Sequence, residues 1–472
     1  MIEDDADRQA RLAARLWRAV EAGSISRRGM LQVLALAAGS ALPAGRALAS
    51  SLAEPPTVAC GDTAGLPPSP DCPADRLIVK PISAERFRIL GAGSAEMRWD
   101  RLSGSDYRVP TKDFYVHNRS CPPRFDPATW RLTVEGDALQ RPLELTSDQF
   151  ARLPHERIVR VLDCAANGRA FFANDRYLHP PTPFVPDPAS SWRLGAVGAA
   201  EWAGVPLGEV LERAGLLRSG GRPVASEVQV ESVERLGGVA VSRVVPLAKA
   251  MASDSLLADA MNSEPLSIDH GAPIRALFSG WAGIANVKWV RRIVVSKQPI
   301  YSFWDAHHAV LVGPDYEPGW DAFRKEYGTP AADALRHAWG SPVTVQNVKS
   351  AFELGWGAQL PRGRQVLRGR SWSGKGAIRE VAVSFDGGQG WREARLVPPN
   401  PSLSWVRWEV EWDATAGDHL LIARARDTAG RIQVPVADPD QLPAFNKFGL
   451  MFGDRPGRGD SHNAVPHPVT VR

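Results

Sequence analysis

The stretch that decides the fold runs from Val161 to Phe172 and reads VLDCAANGRAFF. Cys164, one of four cysteines in the chain, follows an apolar run, and Arg169 comes five residues later. A free cysteine in such a run can pack as a small hydrophobe, or it can bind a metal as a thiolate, with the arginine in the same site. The rest of the sequence decides between these two interpretations.

Chain length, composition and net charge limit the number of domains and the class of protein. A chain of 472 residues can form two or three domains. Its hydrophobic content of 44% and charged content of 23% are ordinary for a globular protein. The net charge of +4 is mild and the charges are interspersed, so we expect no nucleic-acid partner.

The N-terminus resembles an export signal. Arg27 and Arg28 precede the uncharged, mostly apolar run Met30–Leu42, and Ala47 and Ala49 offer small residues for cleavage. This pattern predicts a twin-arginine signal peptide over residues 1–49, and therefore a periplasmic protein that is exported already folded. The run is too short for a stable membrane span. The alternative is an ordinary N-terminal helix.

Residues 50–75 are rich in Pro, Gly and Ser and are predicted to be a linker. Cys60 and Cys72 lie in this linker. In an oxidising compartment they could form a disulfide; the alternative, metal ligation, has no CxxC pair or nearby histidine in its favour. The absence of a CxxCH motif argues against covalently bound haem.

Residues 76–337 mix strand and helix patterns, which predicts an α+β domain. Its predicted elements are a strand at Thr129–Glu135, a helix at Leu207–Ala214 with Gly215 just past its end, a strand at Val228–Val233 and a longer strand at Ala285–Val295. Pro330–Trp339 is a plausible hinge to the next domain.

Residues 338–472 lack helical patterns. The alternating segments are Ile378–Phe385, Trp405–Trp412, His419–Arg426 and Arg431–Val436, with turn signals at Asp386-Gly387-Gly388 and Asp427–Gly430. Short strands at regular spacing predict an immunoglobulin-like β-sandwich.

Five segments occur in a diagnostic order: FYVHNRSCPP (Phe114–Pro123), VLDCAANGR (Val161–Arg169), WRLGAVGAAEWAGVPL (Trp192–Leu207), DHGAPIRALFSGWAGIANVKWVRRIVV (Asp269–Val295) and RGRSWSGKGAIREVAVSFDGG (Arg368–Gly388). Together they closely resemble the sulfite oxidase family of molybdenum enzymes over roughly residues 80–470. The resemblance implies a mixed α/β molybdopterin-binding domain, followed by an immunoglobulin-like domain that forms a homodimer.

The resemblance also assigns roles within a molybdenum-molybdopterin site. Cys164 would bind the metal through sulfur, and Arg169 and Trp192 would form the substrate pocket. The residues implied to hold the pterin cofactor are His117, Asn118, Arg119, His270, Arg275, Asn286, Val287 and Lys288. A carboxylate between Glu231 and Glu234 would lie beside the pterin.

The sequence departs from the family pattern at several places. The family order Arg-Asn-His is replaced by His117-Asn118-Arg119, Val241 or Ser242 stands where a tyrosine is expected, and Lys375–Ala377 lacks an expected arginine. Residues 170–191 form an insertion rich in Pro and aromatic residues. These departures weaken the expectation of a small anionic substrate.

Cys121 lies two residues beyond Arg119. We interpret it as an inert loop thiol, with an approach to the pocket as the alternative.

The expected function is oxygen-atom transfer that oxidises sulfite or a related sulfur compound. No haem-binding domain is recognised, so a soluble c-type cytochrome is the expected electron acceptor. One alternative is the reverse chemistry, reduction of an S-oxide or N-oxide on the same cofactor. Another is a secreted binding protein that keeps the fold without turnover.

Overall fold

The computed structural model describes residues 77–102, 106–168, 192–236, 239–307, 310–311, 341–433 and 464–472. Several predictions fall outside the described residues. These are the signal peptide, the linker with Cys60 and Cys72, Arg169 with the insertion 170–191, the hinge Pro330–Trp339, and residues 434–436 of the last predicted strand.

The described part of the chain is mostly β-structure with short helices. The α-helices are α1 (Ser147–Ala151), α2 (Leu207–Arg213), α3 (Leu247–Ala250) and α4 (Phe303–His307), and 3-10 helices span Trp99–Leu102, Thr111–Asp113, Ile268–His270 and Gly283–Ala285. The strands are β1 (Phe87–Gly91), β2 (Ser94–Met97), β3 (Val116–His117), β4 (Arg131–Glu135), β5 (Leu143–Thr146), β6 (Glu156–Asp163), β7 (Val197–Pro206), β8 (Arg218–Ser219), β9 (Arg222–Pro223), β10 (Glu227–Leu236), β11 (Val239–Pro246), β12 (Ser255–Met261), β13 (Glu264–Pro265), β14 (Arg275–Phe278), β15 (Val290–Ser296), β16 (Val310–Leu311), β17 (Ser341–Pro342), β18 (Lys349–Phe352), β19 (Ala358–Leu360), β20 (Gly363–Trp372), β21 (Ile378–Ser384), β22 (Arg392–Glu393), β23 (Arg395–Val397), β24 (Trp405–Ala414), β25 (Gly417–Asp427) and β26 (His467–Val471). The prediction of an α+β fold therefore overstated the helical part.

Two sheets form most of the first domain. One has the order β11-β10-β15-β4-β5, with β15 parallel to β4; the other has the order β13-β12-β7-β6, with β14 paired to β12. The last three residues of β6, Val161, Leu162 and Asp163, are buried. The chain therefore leaves the core of this sheet directly at Cys164.

Helix α2 lies where the spacing of apolar residues in the sequence predicts a helix. Leu207, Val210 and Leu211 follow helical spacing and are all buried, so one face of the helix packs on the core. Gly215 follows with φ of 75°, a left-handed conformation that favours glycine just beyond a helix end. The predicted helix is confirmed.

The predicted long strand at Ala285–Val295 is wrong in its first half. Residues 283–285 form a 3-10 turn, Trp289 has φ of 53°, and the strand begins at Val290. The cause is Asn286. Its side-chain oxygen accepts from the Phe278 backbone N–H at 2.7 Å and its amide donates to two nearby carbonyls, which fixes a loop where the apolar pattern suggested a strand.

The C-terminal β domain, residues 341–433 and 464–472, consists of two sheets around a shared core. Their orders are β18-β20-β24-β23 and β19-β26-β25-β21-β22. Leu367 and Trp408 of the first sheet pack in one cluster with Val381 and Leu421 of the second. The strands predicted at residues 378–385, 405–412 and 419–426 are confirmed, whereas of residues 431–433 only Ile432 forms an isolated bridge. The immunoglobulin type of this domain stays a prediction.

The two domains share a buried junction. Trp99 of the first domain contacts Trp372 and Trp405 of the second, with ring centroids 5.9 and 6.3 Å apart. At the same place Arg370 of β20 pairs with Glu353 at 2.5 Å, with both side chains almost fully buried. We call Arg370 and Glu353 the junction pair.

Candidate active site

The loop that carries Cys164 is held tightly by the main chain. The Cys164 N–H donates to the carbonyl of Ala196 at 2.8 Å, and the Asn167 N–H donates back to the Cys164 carbonyl at 2.8 Å. The Gly168 N–H donates to the carbonyl of Arg193 at 2.6 Å. These bonds fix the backbone of the turn, while the Cys164 thiol itself is free.

Burial raises the pKa of the Cys164 thiol to about 11. The Asp163 carboxylate raises it further, whereas a backbone hydrogen bond and the cations Arg119 and Lys349 lower it. Without a metal, therefore, this cysteine keeps its proton at neutral pH. A coordinated metal ion deprotonates a thiol through its own charge, so the surroundings are compatible with a ligand and not with a reactive free thiolate.

Beneath the cysteine lies a buried ion pair between the two domains. Asp163, the residue before Cys164, accepts from Lys349 of β18 at 3.0 Å and from the indole of Trp372 at 3.2 Å. Lys349 also donates to the carbonyl of Asn167 at 3.2 Å. The C-terminal domain thus fixes both sides of the cysteine turn.

Aromatic rings form a wall beside this turn. Trp192, predicted to shape the substrate pocket, is buried and contacts Tyr115 and His117 edge to face, with ring centroids 6.2 and 5.6 Å apart. Tyr115 also stacks on Phe114 at 5.2 Å. Burial raises the pKa of Tyr115 well above its usual value, and the neighbouring Cys164 adds to this effect.

Gly283 lies where the wall meets the cysteine turn. A Cβ atom at this residue would lie 3.1 Å from the Asp163 carbonyl oxygen, 3.3 Å from the Cys164 Cα and 3.3 Å from the Tyr115 hydroxyl oxygen. These three groups therefore converge on one small space.

Lys288 is the centre of the predicted cofactor residues. Its ammonium group donates to the carbonyls of His117 at 2.9 Å and Asp269 at 3.0 Å, and also to the side-chain oxygen of Asn118. Burial lowers the pKa of Lys288 to about 7; the carboxylates of Glu234 and Asp269 act in the opposite direction.

His270 and Arg275, both predicted to hold the cofactor, are in direct contact. His270 ends the 3-10 turn at residues 268–270 and Arg275 begins β14. Arg275 donates to the carbonyls of His270 and Asn286, both at 3.0 Å, while its buried Nε has no hydrogen-bond partner among the described residues. Burial lowers the pKa of Arg275 to about 10 and that of His270 well below its usual value.

Other predicted cofactor residues use their side chains within the fold. Asn118 donates to the Leu77 carbonyl at 2.6 Å and to Asp269 at 3.0 Å, and Asn286 satisfies three backbone groups. Val287 is buried. Their roles in cofactor binding stay predictions, and main-chain contacts are the form that fits these positions.

Positive charge dominates this side of the site. Lys80, Arg275 and Lys288 all act on His270, and Arg119 acts on both His117 and Lys288. We call Lys80, Arg119, Arg275 and Lys288 the cation cluster. Two carboxylates, Glu234 and Asp269, act on Lys288 and raise its pKa. A phosphate-bearing cofactor fits this arrangement, because Lys80, Arg275 and Lys288 have lowered pKa values, and such cations gain most from an added anion.

The structure distinguishes between the carboxylates of β10. Glu234 is buried, accepts from the Ser120 hydroxyl at 2.8 Å and acts on Lys288. Glu231 instead pairs with Arg292 at 3.1 Å on the other side of the strand. A shift in the strand register between Glu231 and Ser232 separates the two. Glu234 is therefore the carboxylate beside the cofactor residues.

The interpretation of Cys121 as an inert thiol is wrong. Cys121 is buried and disulfide-bonded. Its flanking sequence, HNRS before it and PPR after it, gives no signal of a disulfide. The predicted Cys60–Cys72 pairing lies outside the described residues.

At two of the departures from the family pattern, the residues make hydrogen bonds within the fold. Ser242 is buried and contacts the Gln229 amide at 3.1 Å and the Ser302 hydroxyl at 3.2 Å. In the loop after β20, Lys375 donates its backbone N–H to Ser373 at 3.1 Å. Sequence reasoning assigned no role to Tyr115, Lys349 or Gly283, although Tyr115 and Gly283 lie in two of the quoted segments.

Two features are absent from the part of the chain that the structure describes. No helix among them is long and apolar enough to cross a membrane. No group of three or more His, Cys, Asp or Glu side chains in the described ranges has the geometry to hold a metal ion.

Comparison with family models defines the class. Residues 118–304 match the oxidoreductase molybdopterin-binding domain, and residues 345–440 match the Mo-co oxidoreductase dimerisation domain. With the free cysteine and the cation cluster, these matches define a molybdopterin-dependent oxidoreductase, whose cofactor is molybdenum-molybdopterin.

Individual relatives give the family. The chain is 30% identical to sulfite oxidase of Gallus gallus over 362 residues, which cover 74% of this chain and 72% of that protein. It is also 30% identical to mitochondrial sulfite oxidase of Homo sapiens over 366 residues, covering 74% of this chain but 61% of the human protein. The chain therefore belongs to the sulfite oxidase family.

A solved structure supports the fold. The sulfane dehydrogenase SoxCD from Paracoccus pantotrophus aligns with a TM-score of 0.61 over 82% of this chain and 89% of that chain. The sequence identity is 22%, so this likeness concerns the fold alone.

Proposed function

We propose that this protein is a periplasmic oxidoreductase that transfers an oxygen atom to sulfite or a related sulfur compound and passes the electrons to a c-type cytochrome. The observation that carries the proposal is the free thiol of Cys164 directly after β6, on a turn that both domains hold, near a cluster of cations of which Arg275 is buried.

The residues divide into two sets around the cofactor. Cys164 would bind the metal, and the cation cluster with His117 and His270 would hold the phosphate-bearing pterin part by charge and hydrogen bonds. When bound, the molybdenum centre supplies two-electron oxygen-atom transfer chemistry. The protein's own part is to orient the metal through the rigid cysteine turn and to keep the pterin in a buried, cationic pocket.

For the substrate, Arg169 and Trp192 are the proposed pocket residues. Arginine can hold two oxygens of a sulfur oxyanion at once, which orients the sulfur toward the metal. Oxidation of sulfite to sulfate takes its oxygen from water and releases two electrons and two protons. The electrons leave singly to the cytochrome.

A second candidate function is reduction of a neutral S-oxide or N-oxide on the same cofactor. It is favoured by the pairing of the C-terminal domain's cation at the cysteine turn: Lys349 pairs with Asp163 at 3.0 Å. This pairing reduces the charge that Lys349 could offer to an anionic substrate.

The first experiment decides between these functions. The full chain, made in a host that synthesises molybdopterin, is analysed for molybdenum and pterin and then assayed in both directions. Sulfite with oxidised cytochrome c should give turnover. Turnover only with a reduced dye and methionine sulfoxide would favour the second function, and a folded protein without molybdenum would contradict both.

Location and assembly are tested separately. Replacing Arg27 and Arg28 by lysine should abolish export if the twin-arginine route is used, as measured by fractionation of the periplasm. The immunoglobulin-like type of the C-terminal β domain and its role in a homodimer are also proposals. Light scattering of the purified protein should give twice the mass of one chain.

A further inference from the structure

Tyr115 is a buried polar residue that the predicted site did not include. It follows the 3-10 turn at residues 111–113 and comes directly before β3, and 7% of its surface is exposed. Its ring is fixed from two directions, by stacking on Phe114 and by the edge of Trp192. The position of its hydroxyl group is therefore set by the fold.

The hydroxyl of Tyr115 points to the cysteine turn. It shares the small space beside Gly283 with the Cα of Cys164 and the carbonyl oxygen of Asp163. Its electrostatic neighbours are Cys164, Arg275 and Asp163, which are a proposed metal ligand, a member of the cation cluster and the residue that supports the ligand.

This hydroxyl forms no hydrogen bond within the described part of the chain, and its oxygen is not among the fully buried unpaired atoms there, so a molecule outside the protein can reach it. Tyr107, the comparable buried tyrosine at the domain junction, donates to the Trp405 carbonyl at 2.6 Å and contacts the Ser404 hydroxyl at 3.0 Å. The two tyrosines carry the same hydroxyl group, but among the described residues only the hydroxyl of Tyr107 has hydrogen-bond partners. A bound molecule is the partner that the site of Tyr115 can offer.

We propose that the Tyr115 hydroxyl donates a hydrogen bond to an oxygen of a bound sulfur oxyanion and so determines substrate specificity. This inference rests on the proposed function, because it takes the space beside Cys164 as the substrate pocket. A neutral phenol suits this role: it offers one donor at a fixed point without adding a charge. Trp192 then acts by holding the tyrosine ring as well as by lining the pocket.

The test compares Tyr115→Phe with Tyr107→Phe in the molybdenum-loaded protein. Tyr115→Phe keeps the ring contacts and removes a hydroxyl without partners among the described residues, so the urea midpoint should not fall. Tyr107→Phe removes two hydrogen bonds and should lower that midpoint. Metal content should be unchanged in both.

Anion binding is measured with inorganic sulfate by calorimetry, in place of the reaction itself. A hydrogen bond to a charged group is lost in Tyr115→Phe, so its sulfate affinity should fall about tenfold or more. Tyr107→Phe should bind sulfate as the wild type does. In turnover, KM for sulfite should rise in Tyr115→Phe more than kcat falls.

Two outcomes overturn the inference. One is a sulfate affinity of Tyr115→Phe within twofold of the wild type, and the other is a loaded wild type that binds no sulfate. If the wild type binds sulfate through Tyr115 but does not oxidise sulfite, the inference stands and the proposed reaction is wrong. The two failures are thus distinguishable.

Discussion

The cation cluster and the junction pair are two ways of burying charge in one molecule. In the junction pair, Arg370 meets Glu353 at 2.5 Å, donates to the carbonyls of Leu102 and Tyr107, and lies over the ring of Trp405. In the cation cluster, Lys288 donates to carbonyl oxygens, no salt bridge to it is found among the described residues, and burial lowers its pKa to about 7.

The difference teaches how to recognise a ligand site in a protein without its ligand. A charge that the protein itself neutralises belongs to the scaffold. A group of buried charges of one sign, only partly neutralised, marks a place where an ion of the opposite sign binds. The predictions below test this distinction, beginning with the metal ligand.

The largest effect is expected for Cys164→Ser. Serine keeps the size of the side chain but not its soft sulfur ligand, so turnover should be abolished and molybdenum occupancy should fall strongly. Because the turn is held by backbone bonds, the apoprotein should fold as before. Molybdenum analysis and circular dichroism check the two parts. Full activity in this variant would refute the ligand assignment.

Arg370→Met tests the junction pair. It leaves Glu353 buried without its counter-charge, which should lower the free energy of unfolding by about 3–5 kcal/mol. Urea denaturation of the molybdenum-free protein measures the change. The double variant Arg370→Met with Glu353→Leu is the control and should regain part of the loss. A single variant as stable as the wild type would show that this pair is not needed.

Lys288→Met tests the cation cluster through pH. The folded pKa of Lys288, about 7, lies below its ordinary value of 10.5, so above pH 7 the unfolded chain binds the extra proton. The stability of the cofactor-free protein should therefore rise with pH between 7 and 9. Lys288 contributes about 1 kcal/mol per pH unit to this slope.

The variant should lose that contribution while the part due to Lys80, whose pKa burial lowers to about 8, remains. The measurement is a set of urea midpoints at several pH values for both proteins. Equal slopes would mean that Lys288 is charged in the apoprotein, and the cluster would then not be short of anions.

The smallest effect is expected on the surface. Arg364 pairs with Glu411 at 2.7 Å, but 70% and 62% of these side chains are exposed. Water and salt screen such a pair, so Arg364→Gln should leave the urea midpoint unchanged within error. A clear loss would mean that exposed charges also hold the C-terminal domain together.

Sequence patterns predicted the helix and the strands whose formation depends on residues close together in the chain. The helix α2 and the strands β21, β24 and β25 were predicted from spacing and turn residues. Gly387 and Gly388 indeed turn the chain after β21, with φ of 73° and 102°. These elements follow from residues close together in the sequence, and the pattern is sufficient for them.

The site depends on contacts between residues distant in the chain, and sequence patterns predict such contacts poorly. Cys164, Lys288 and Arg275 were predicted to be site residues, because the segments that contain them resemble those of a known family. Nothing in the sequence connects Lys349 with Asp163, since one lysine at the start of a strand has no distinguishing mark. Tyr115 lay within a quoted motif, yet its missing hydrogen-bond partner becomes visible only in three dimensions.

The lysine that reaches from β18 to Asp163 has a consequence for how this chain can be divided. A fragment ending before residue 341 would leave the Asp163 carboxylate without its cation, immediately beside the cysteine. Gene fusions, truncations and domain exchanges that respect the boundary between the sheets would still remove the support of the proposed metal ligand. The chain therefore cannot be cut between its sheets without disturbing the turn that carries Cys164.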